Sequence, residues 1–143
     1  MVLTAKEYLK QLSKINRMIE NNQNELLRLR EQATSINSRL KPVVSSPSGF
    51  VKDNIGETVS AIIDAENEVK RMIDALTSLR HRIKSQLEGM DNPVYYDVLS
   101  KIYLYEKSVP MTAKDLGYSL SWTKQLHRKA LSEFDRKYGR EYH

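Results

Sequence analysis

Between Lys124 and Lys129 the chain reads KQLHRK, and five of these six side chains donate hydrogen bonds or can carry positive charge: Lys124, Gln125, His127, Arg128 and Lys129. Lys and Arg suit phosphate oxygens and base edges, and Gln can bond adenine at two atoms. The chemistry this set offers is recognition of a nucleic acid rather than bond breaking. At helical spacing Ser121, Lys124, Gln125 and Arg128 share one face. Thr123, Leu126, Ala130 or Leu131, and Phe134 recur at three- and four-residue steps on the other and should pack inward. Ser119 stands just before, where its hydroxyl can cap the helix and, with the neighbouring N–H groups, receive a phosphate oxygen. His127 borders the basic face, with a phosphate contact as its less expected role. From Ser119 to His143 six Lys+Arg stand against three Asp+Glu, a net +3 concentrated where a duplex would lie.

A face of this kind needs a scaffold. Leu116-Gly117-Tyr118-Ser119 reads as a tight turn, with Gly117 supplying a backbone conformation other residues resist. Before it, Ser108 caps a short helix with Pro110 in its first turn, and Thr112, Ala113 and Leu116 face inward. Thr112 also resembles a cap, but starting there would leave barely one turn. Helix, glycine turn and capped second helix, from Leu120 to about Tyr138, make a helix-turn-helix layout. Upstream, Pro93–Glu106 reads as one helix, burying Val94, Val98, Leu99, Ile102 and Tyr105 or Tyr103. The stretch EGMDNPVYY precedes it: Gly89 can end a helix in a left-handed conformation, and Asp91-Asn92-Pro93 restarts the chain. The domain boundary is expected here, dividing the chain into 1–90 and 91–143.

The N-terminal part carries a second kind of pattern. Thr4 to Glu7, TAKE, is a capping box: Thr4 accepts from a backbone N–H and Glu7 reaches back to Thr4's own N–H. A heptad seam follows at Ala5, Tyr8, Leu12, Ile15, Ile19, Asn22, Leu26, Leu29, Ala33, Ile36 and Leu40. Pro42 should end this helix, and Pro42 to Phe50 reads as a loop. A second rod spans about Lys52 to Leu87, with its seam at Ile55, Val59, Ile62, Glu66, Val69, Ile73, Leu76, Arg80, Ile83 and Leu87, widened by Ile63, Met72 and Leu79. Asn22, Glu66 and Arg80 interrupt these seams, most simply at solvated edges. Two matched rods on a short loop should fold back as an antiparallel hairpin. One hairpin has little core, so self-association is expected, as a dimer or higher oligomer.

The expected fold is therefore all-α: a long antiparallel helical hairpin of coiled-coil type, used for oligomerisation, followed by a small C-terminal helix-turn-helix. Composition agrees, since 143 residues hold only 5 Gly and 4 Pro, and the net charge is +5. With no cysteine there is no disulfide framework and no thiolate metal site, which favours a cytoplasmic protein. The first residues carry no apolar core of a signal peptide, and no window approaches the length of a membrane span. His81, His127 and His143 lie far apart, and no phosphate loop, nucleophile elbow or carboxylate pair appears. No enzyme activity, cofactor or metal is expected. The basic run LRHRIK, Leu79 to Lys84, reads as a solvated face that could extend a nucleic-acid surface.

The segment AKDLGYSLSWTKQLHRKAL resembles the end of region four of bacterial sigma factors, through Leu116-Gly117-Tyr118-Ser119 and the basic-Ala-Leu triplet Lys129-Ala130-Leu131. Over nearly its full length the chain resembles small helical regulators of Gram-positive prophages, the ArpU and RinA type of late-gene activators, through TAKEYLKQ, LRLREQATSI and IIDAENEV. The resemblance implies a phage regulator that binds double-stranded DNA in a bacterial cytoplasm, with RNA polymerase as a conceivable second partner. By matching position it places the DNA face on Ser121, Lys124 and Gln125, with Leu120 beside them; helix periodicity adds Arg128. Departures from the region-four pattern are Pro110 and Met111 in place of an acidic pair, and Thr112 and Thr123 in place of core aliphatics. Trp122 replaces a frequent charged residue; packing on the preceding helix is its expected role, with the sugar-phosphate backbone as the alternative. Two other functions fit the layout: a small terminase-like packaging subunit, and a coiled-coil adaptor that binds no DNA.

Overall fold

The computed structural model describes residues 2–40 and 49–143, with side chains placed for 2–35 and 55–143. It is all-helical, with no strand among the described residues. The elements are α1 (Ala5–Leu40), α2 (Gly49–Glu88), α3 (Pro93–Leu99), which continues as a π-helical turn over Ser100–Leu104, α4 (Val109–Leu116) and α5 (Leu120–Tyr142). α2 begins at Gly49, so Gly49 and Phe50 are helix rather than loop. Pro42 as helix terminator, and the loop around it, lie outside the described residues.

α1 opens as the capping box predicts in part. Glu7 N–H donates to the Thr4 hydroxyl oxygen at 3.1 Å. The return bond differs: the Thr4 hydroxyl donates to the Glu7 carboxylate at 3.0 Å, instead of Glu7 receiving Thr4's N–H. One hydroxyl thus accepts and donates at once, closing the box on itself. The α1 seam is shielded as the heptads require, with Ala5, Tyr8, Leu12, Ile19 and Leu26 buried.

Two compact units emerge: the chain up to Ile15 together with Leu76–His143, and Asn16–Ala75. In the Asn16–Ala75 unit, the Asn22 amide donates to the Met18 carbonyl at 2.8 Å and to Met72 Sδ at 3.5 Å. Arg30 pairs with Glu66 at 2.9 Å. Moving up α1 from Asn22 to Arg30 moves the partner down α2 from Met72 to Glu66, so the two helices run antiparallel.

The α2 seam differs from the one expected. Val59, Glu66, Ile73 and Arg80 are exposed, and the shielded line is Ile55, Thr58, Ile62, Ala65, Val69, Met72, Leu76, Leu79 and Ile83. Both lines share every second member and both repeat every 3.5 residues. They differ only in whether the step of three or of four comes first. The chosen line replaces the polar Glu66 and Arg80 with Ala65 and Leu79, so the seam is not interrupted there.

In the other unit, Tyr8, Leu9, Leu12, Ile83, Leu87, Leu99, Tyr103, Leu104, Ala130 and Phe134 form one core. The boundary expected at residue 90 is therefore not a division between compact units, because the first turns of α1 and the last turns of α2 bury their apolar faces with α3 and α5. Gly89 does not take a left-handed backbone, which among the described glycines belongs to Gly117. Its missing side chain matters differently: a Cβ there would collide with the Tyr138 hydroxyl. Aromatic rings fill the middle of the core. Tyr8 lies on Tyr142 at 4.3 Å between centroids and 9° between planes, and Phe134 meets Tyr138 at 5.0 Å. The Tyr8 hydroxyl donates to Gln86 at 2.8 Å, and the Gln86 amide donates onward to Glu141.

Ile83→Ala should destabilise the fold by about 2–5 kcal/mol, because a fully buried side chain leaves a cavity. His81→Ala, two residues earlier and exposed, should stay within about 0.5 kcal/mol of the parent. Urea denaturation at one protein concentration compares the two.

Candidate nucleic-acid interface

The interface candidate is built from α3, α4 and α5. Asn92 caps α3, accepting from the Val94 and Tyr95 N–H groups at 2.9 and 3.4 Å, with Pro93 in the first turn. The helix expected to run unbroken to Glu106 changes pitch at Ser100, where Tyr105 N–H bonds the Ser100 carbonyl at 3.1 Å. This wider turn buries Tyr103 beside Leu104 and turns Tyr105 outward. Glu106 then takes a left-handed conformation with φ 54°, and the chain reverses toward α4. Arg80 donates to the Leu104 carbonyl at 2.8 Å and lies over the Tyr105 ring. Its place is the end of this turn, not the seam.

α4 and α5 are closed by the same device. Ser108 accepts from Met111 N–H at 3.2 Å, and Ser119 accepts from Trp122 N–H at 3.1 Å. Four residues after each cap comes a buried threonine. Thr112 donates its hydroxyl to the Ser108 carbonyl at 2.9 Å, and Thr123 to the Ser119 carbonyl at 2.8 Å. Each buried hydroxyl is thereby satisfied, so threonine can stand where an aliphatic residue would otherwise fill the core. Gly117 holds φ 73°, and Tyr118 N–H reaches back to the Ala113 carbonyl at 2.9 Å, ending α4 in a left-handed cap. Asp115 accepts from Lys107 and lies 3.9 Å from Lys101; the Lys107 hydrogen bond, ahead of the lysine charges, holds its carboxyl below the usual range.

α5 is two-faced as its spacing predicts. Thr123, Leu126, Ala130 and Phe134 are buried. Ser119, Leu120, Ser121, Lys124, Gln125 and Arg128 are all exposed. The helix runs on to Tyr142, past the expected end near Tyr138. Trp122 does not pack away as expected: it remains 42% exposed, with the Lys129 ammonium 5.3 Å from its ring centre. The adjacent cation and the outward direction of the third residue after the cap keep it at the surface.

Charge is sorted along α5. Its acids occupy the later turns and are engaged: Glu133 with Arg136, Asp135 with Tyr142 and His143, and Glu141 with Gln86. The turns from Leu120 to Leu131 carry no acid. Among the described residues, Lys124 and Arg128 take part in no ion pair. A face of unneutralised donors can exchange its counterions for phosphates.

His127 faces inward rather than toward a phosphate. Its Nε2 lies 2.7 Å from the Tyr103 hydroxyl. Burial first, then the charges of Lys6 and Lys10, lower its pKa from the ordinary imidazole value. Burial likewise pushes the Tyr103 phenol up to about 12. Tyr103 therefore stays protonated, and the neutral imidazole can accept its hydrogen. The two lysines were not part of the sequence-based face. Their spacing is visible in the chain, but nothing in it says which helix they would lie beside.

Among the described residues no cluster of His, Asp and Glu could hold a metal, and no helix is long and apolar enough to cross a membrane. No family model, curated protein or solved structure matches the chain.

The depressed pKa of His127 fixes the sign of a pH effect. The unfolded chain takes up the proton first as pH falls, so stability is lost from about pH 6.5 downward, the ordinary imidazole value. The parent should melt at a lower temperature at about pH 5.5 than at about pH 7, and His127→Gln should flatten that difference. Thermal melts followed by circular dichroism at the two pH values provide the comparison.

Proposed function

We propose that the protein is a sequence-specific DNA-binding regulator that reads the major groove with the first turns of α5. The observation that carries this reading is the capped α5 itself. One face is locked into the core by Thr123, Leu126, Ala130 and Phe134, and the other offers Ser121, Lys124, Gln125 and Arg128 to solvent without a neutralising acid. In a helix-turn-helix such a face meets base edges, while the cap and neighbouring N–H groups meet a phosphate. Lys124, Gln125 and Arg128 supply the base-reading donors, Ser119 and Ser121 the shorter polar contacts, and Leu120 an apolar one suited to a thymine methyl. A role in phage late-gene or packaging-gene control, and any contact with RNA polymerase, rest on the resemblance of Ala113–Leu131 and of the two rods, and belong to the proposal in the same way. No catalytic role is proposed.

The hairpin's proposed task is to bring copies together. Val59 and Ile63 are 46% and 51% exposed on α2, off the line that is shielded from solvent. Apolar side chains there would stabilise an assembly by leaving water. Two linked modules would then read paired half-sites.

Trp122 is the chain's single tryptophan, so its emission reports on the interface directly. Duplexes enriched by the protein from a random library should change that emission on titration. Lys124→Ala and Gln125→Ala should each weaken binding to the selected duplex by roughly ten- to a hundredfold, with unchanged helical content. Unchanged affinity in both variants would remove the α5 assignment. For the assembly, Val59→Glu with Ile63→Glu should lower the solution mass toward that of one chain in analytical ultracentrifugation, and an unaltered mass would point the contact elsewhere.

A further inference from the structure

The first turns of α1 are placed in the same compact unit as α5. Ala5, Tyr8, Leu9 and Leu12 belong to the core that holds Ala130 and Phe134. With that face buried, Lys6, Lys10 and Lys14 form a stripe at four-residue spacing, and all three are exposed. Lys6 lines a shallow groove with Leu131 and Ser132 of α5. One turn back along α5 lies His127, which feels the charges of both Lys6 and Lys10. Its α5 neighbours are Lys124 and Arg128, the proposed reading residues.

The acids nearby do not cancel this charge. Up to Ile15 the chain has one acid, Glu7, which accepts the Thr4 hydroxyl. Asp135, which also lines the groove, accepts from Tyr142 and lies 3.0 Å from His143 Nε2. Among the described residues Lys6 and Lys10 take part in no ion pair.

We infer that Lys6 and Lys10 bind the sugar-phosphate backbone of the same duplex that α5 reads, so that the N-terminal turns of α1 are a second, sequence-independent arm of the interface. The inference rests on the DNA-binding reading above. Flexible ammonium groups suit this role, since they attract phosphate as point charges without demanding a base. Backbone contacts of this kind set orientation and add to affinity on every sequence alike.

The measurement is the salt dependence of binding to a labelled duplex of mixed sequence, followed by anisotropy. Each phosphate neutralised contributes about 0.9 to the slope of log affinity against log salt. Lys6→Gln with Lys10→Gln should flatten that slope by about 2. Lys6→Arg with Lys10→Arg should restore it, and Lys70→Gln, an exposed lysine of the other unit, should change it little. If the parent binds and Lys124→Ala weakens it, but the Gln pair leaves the slope intact, this inference fails and the α5 reading stands. If the Arg pair does not restore the slope, charge is not the cause and the inference also fails. If the parent does not bind at about 50 mM salt, where phosphate contacts are strongest, both fail together.

Discussion

The structure depends on how one face of α5 is buried. Ala130 and Phe134 enter a core with Tyr8, Leu9 and Leu12 from α1, Ile83 and Leu87 from α2, and Leu99, Tyr103 and Leu104 from the α3 segment. Large apolar area leaving water is the strongest term available to a chain of this size, and it is non-directional. Direction comes from the stack of Tyr8, Tyr142 and Phe134, and from the bonded series Tyr8–Gln86–Glu141. Together these fix the rotation of α5 about its own axis. Once that rotation is fixed, Ser121, Lys124, Gln125 and Arg128 have only solvent to face.

The turn before α5 works to the same end with local chemistry. A serine cap, a buried threonine bonded to the cap's carbonyl and a left-handed glycine define where the helix starts. Recognition in a groove depends on side chains held at fixed positions along a rigid element, because a small displacement loses a bidentate contact. The matching Ser108–Thr112 device on α4 gives both helices of the pair the same closure. The π-helical turn and the left-handed Glu106 upstream decide how the chain enters α4, with Arg80 donating to the carbonyl of Leu104.

Electrostatics then separates the two halves of α5. Its acids are engaged by Arg136, His143, Tyr142 and Gln86 in the later turns, leaving the earlier turns with cations alone. A segregated charge of this kind attracts an anionic polymer and is weakened by salt. The Tyr103–His127 pair keeps the imidazole turned inward and neutral, so the positive charge of this region resides on lysine and arginine.

Much of this was legible in the chain, because it follows from local rules. Ser108 and Ser119 as caps, Gly117 at the corner, the α1 seam and the two faces of α5 all depend on residues within a turn or two of each other. Three features were not legible, and each depends on which element lies alongside. The α2 seam had two equivalent walks through its apolar residues, and Val59 and Ile73 favoured the wrong one; only the partner helix selects between lines that share half their members. The break at Gly89 looked like a boundary, yet Gly89 lies where the Tyr138 hydroxyl of α5 comes close, so that an added Cβ would have to displace it. Trp122 was expected against the preceding helix and is exposed, because the inward positions of α5 are already taken by Thr123 and Leu126. The sequence by itself determined the helices, the serine caps of α4 and α5 and the chemistry of the α5 face, since hydrogen bonding within a turn and side-chain periodicity are set by neighbours in the chain. Only the tertiary structure decided that the start of α1 and the end of α2 share a core with α5, which brings Lys6 and Lys10 to its side, because burial of apolar area does not distinguish partners by their distance along the chain.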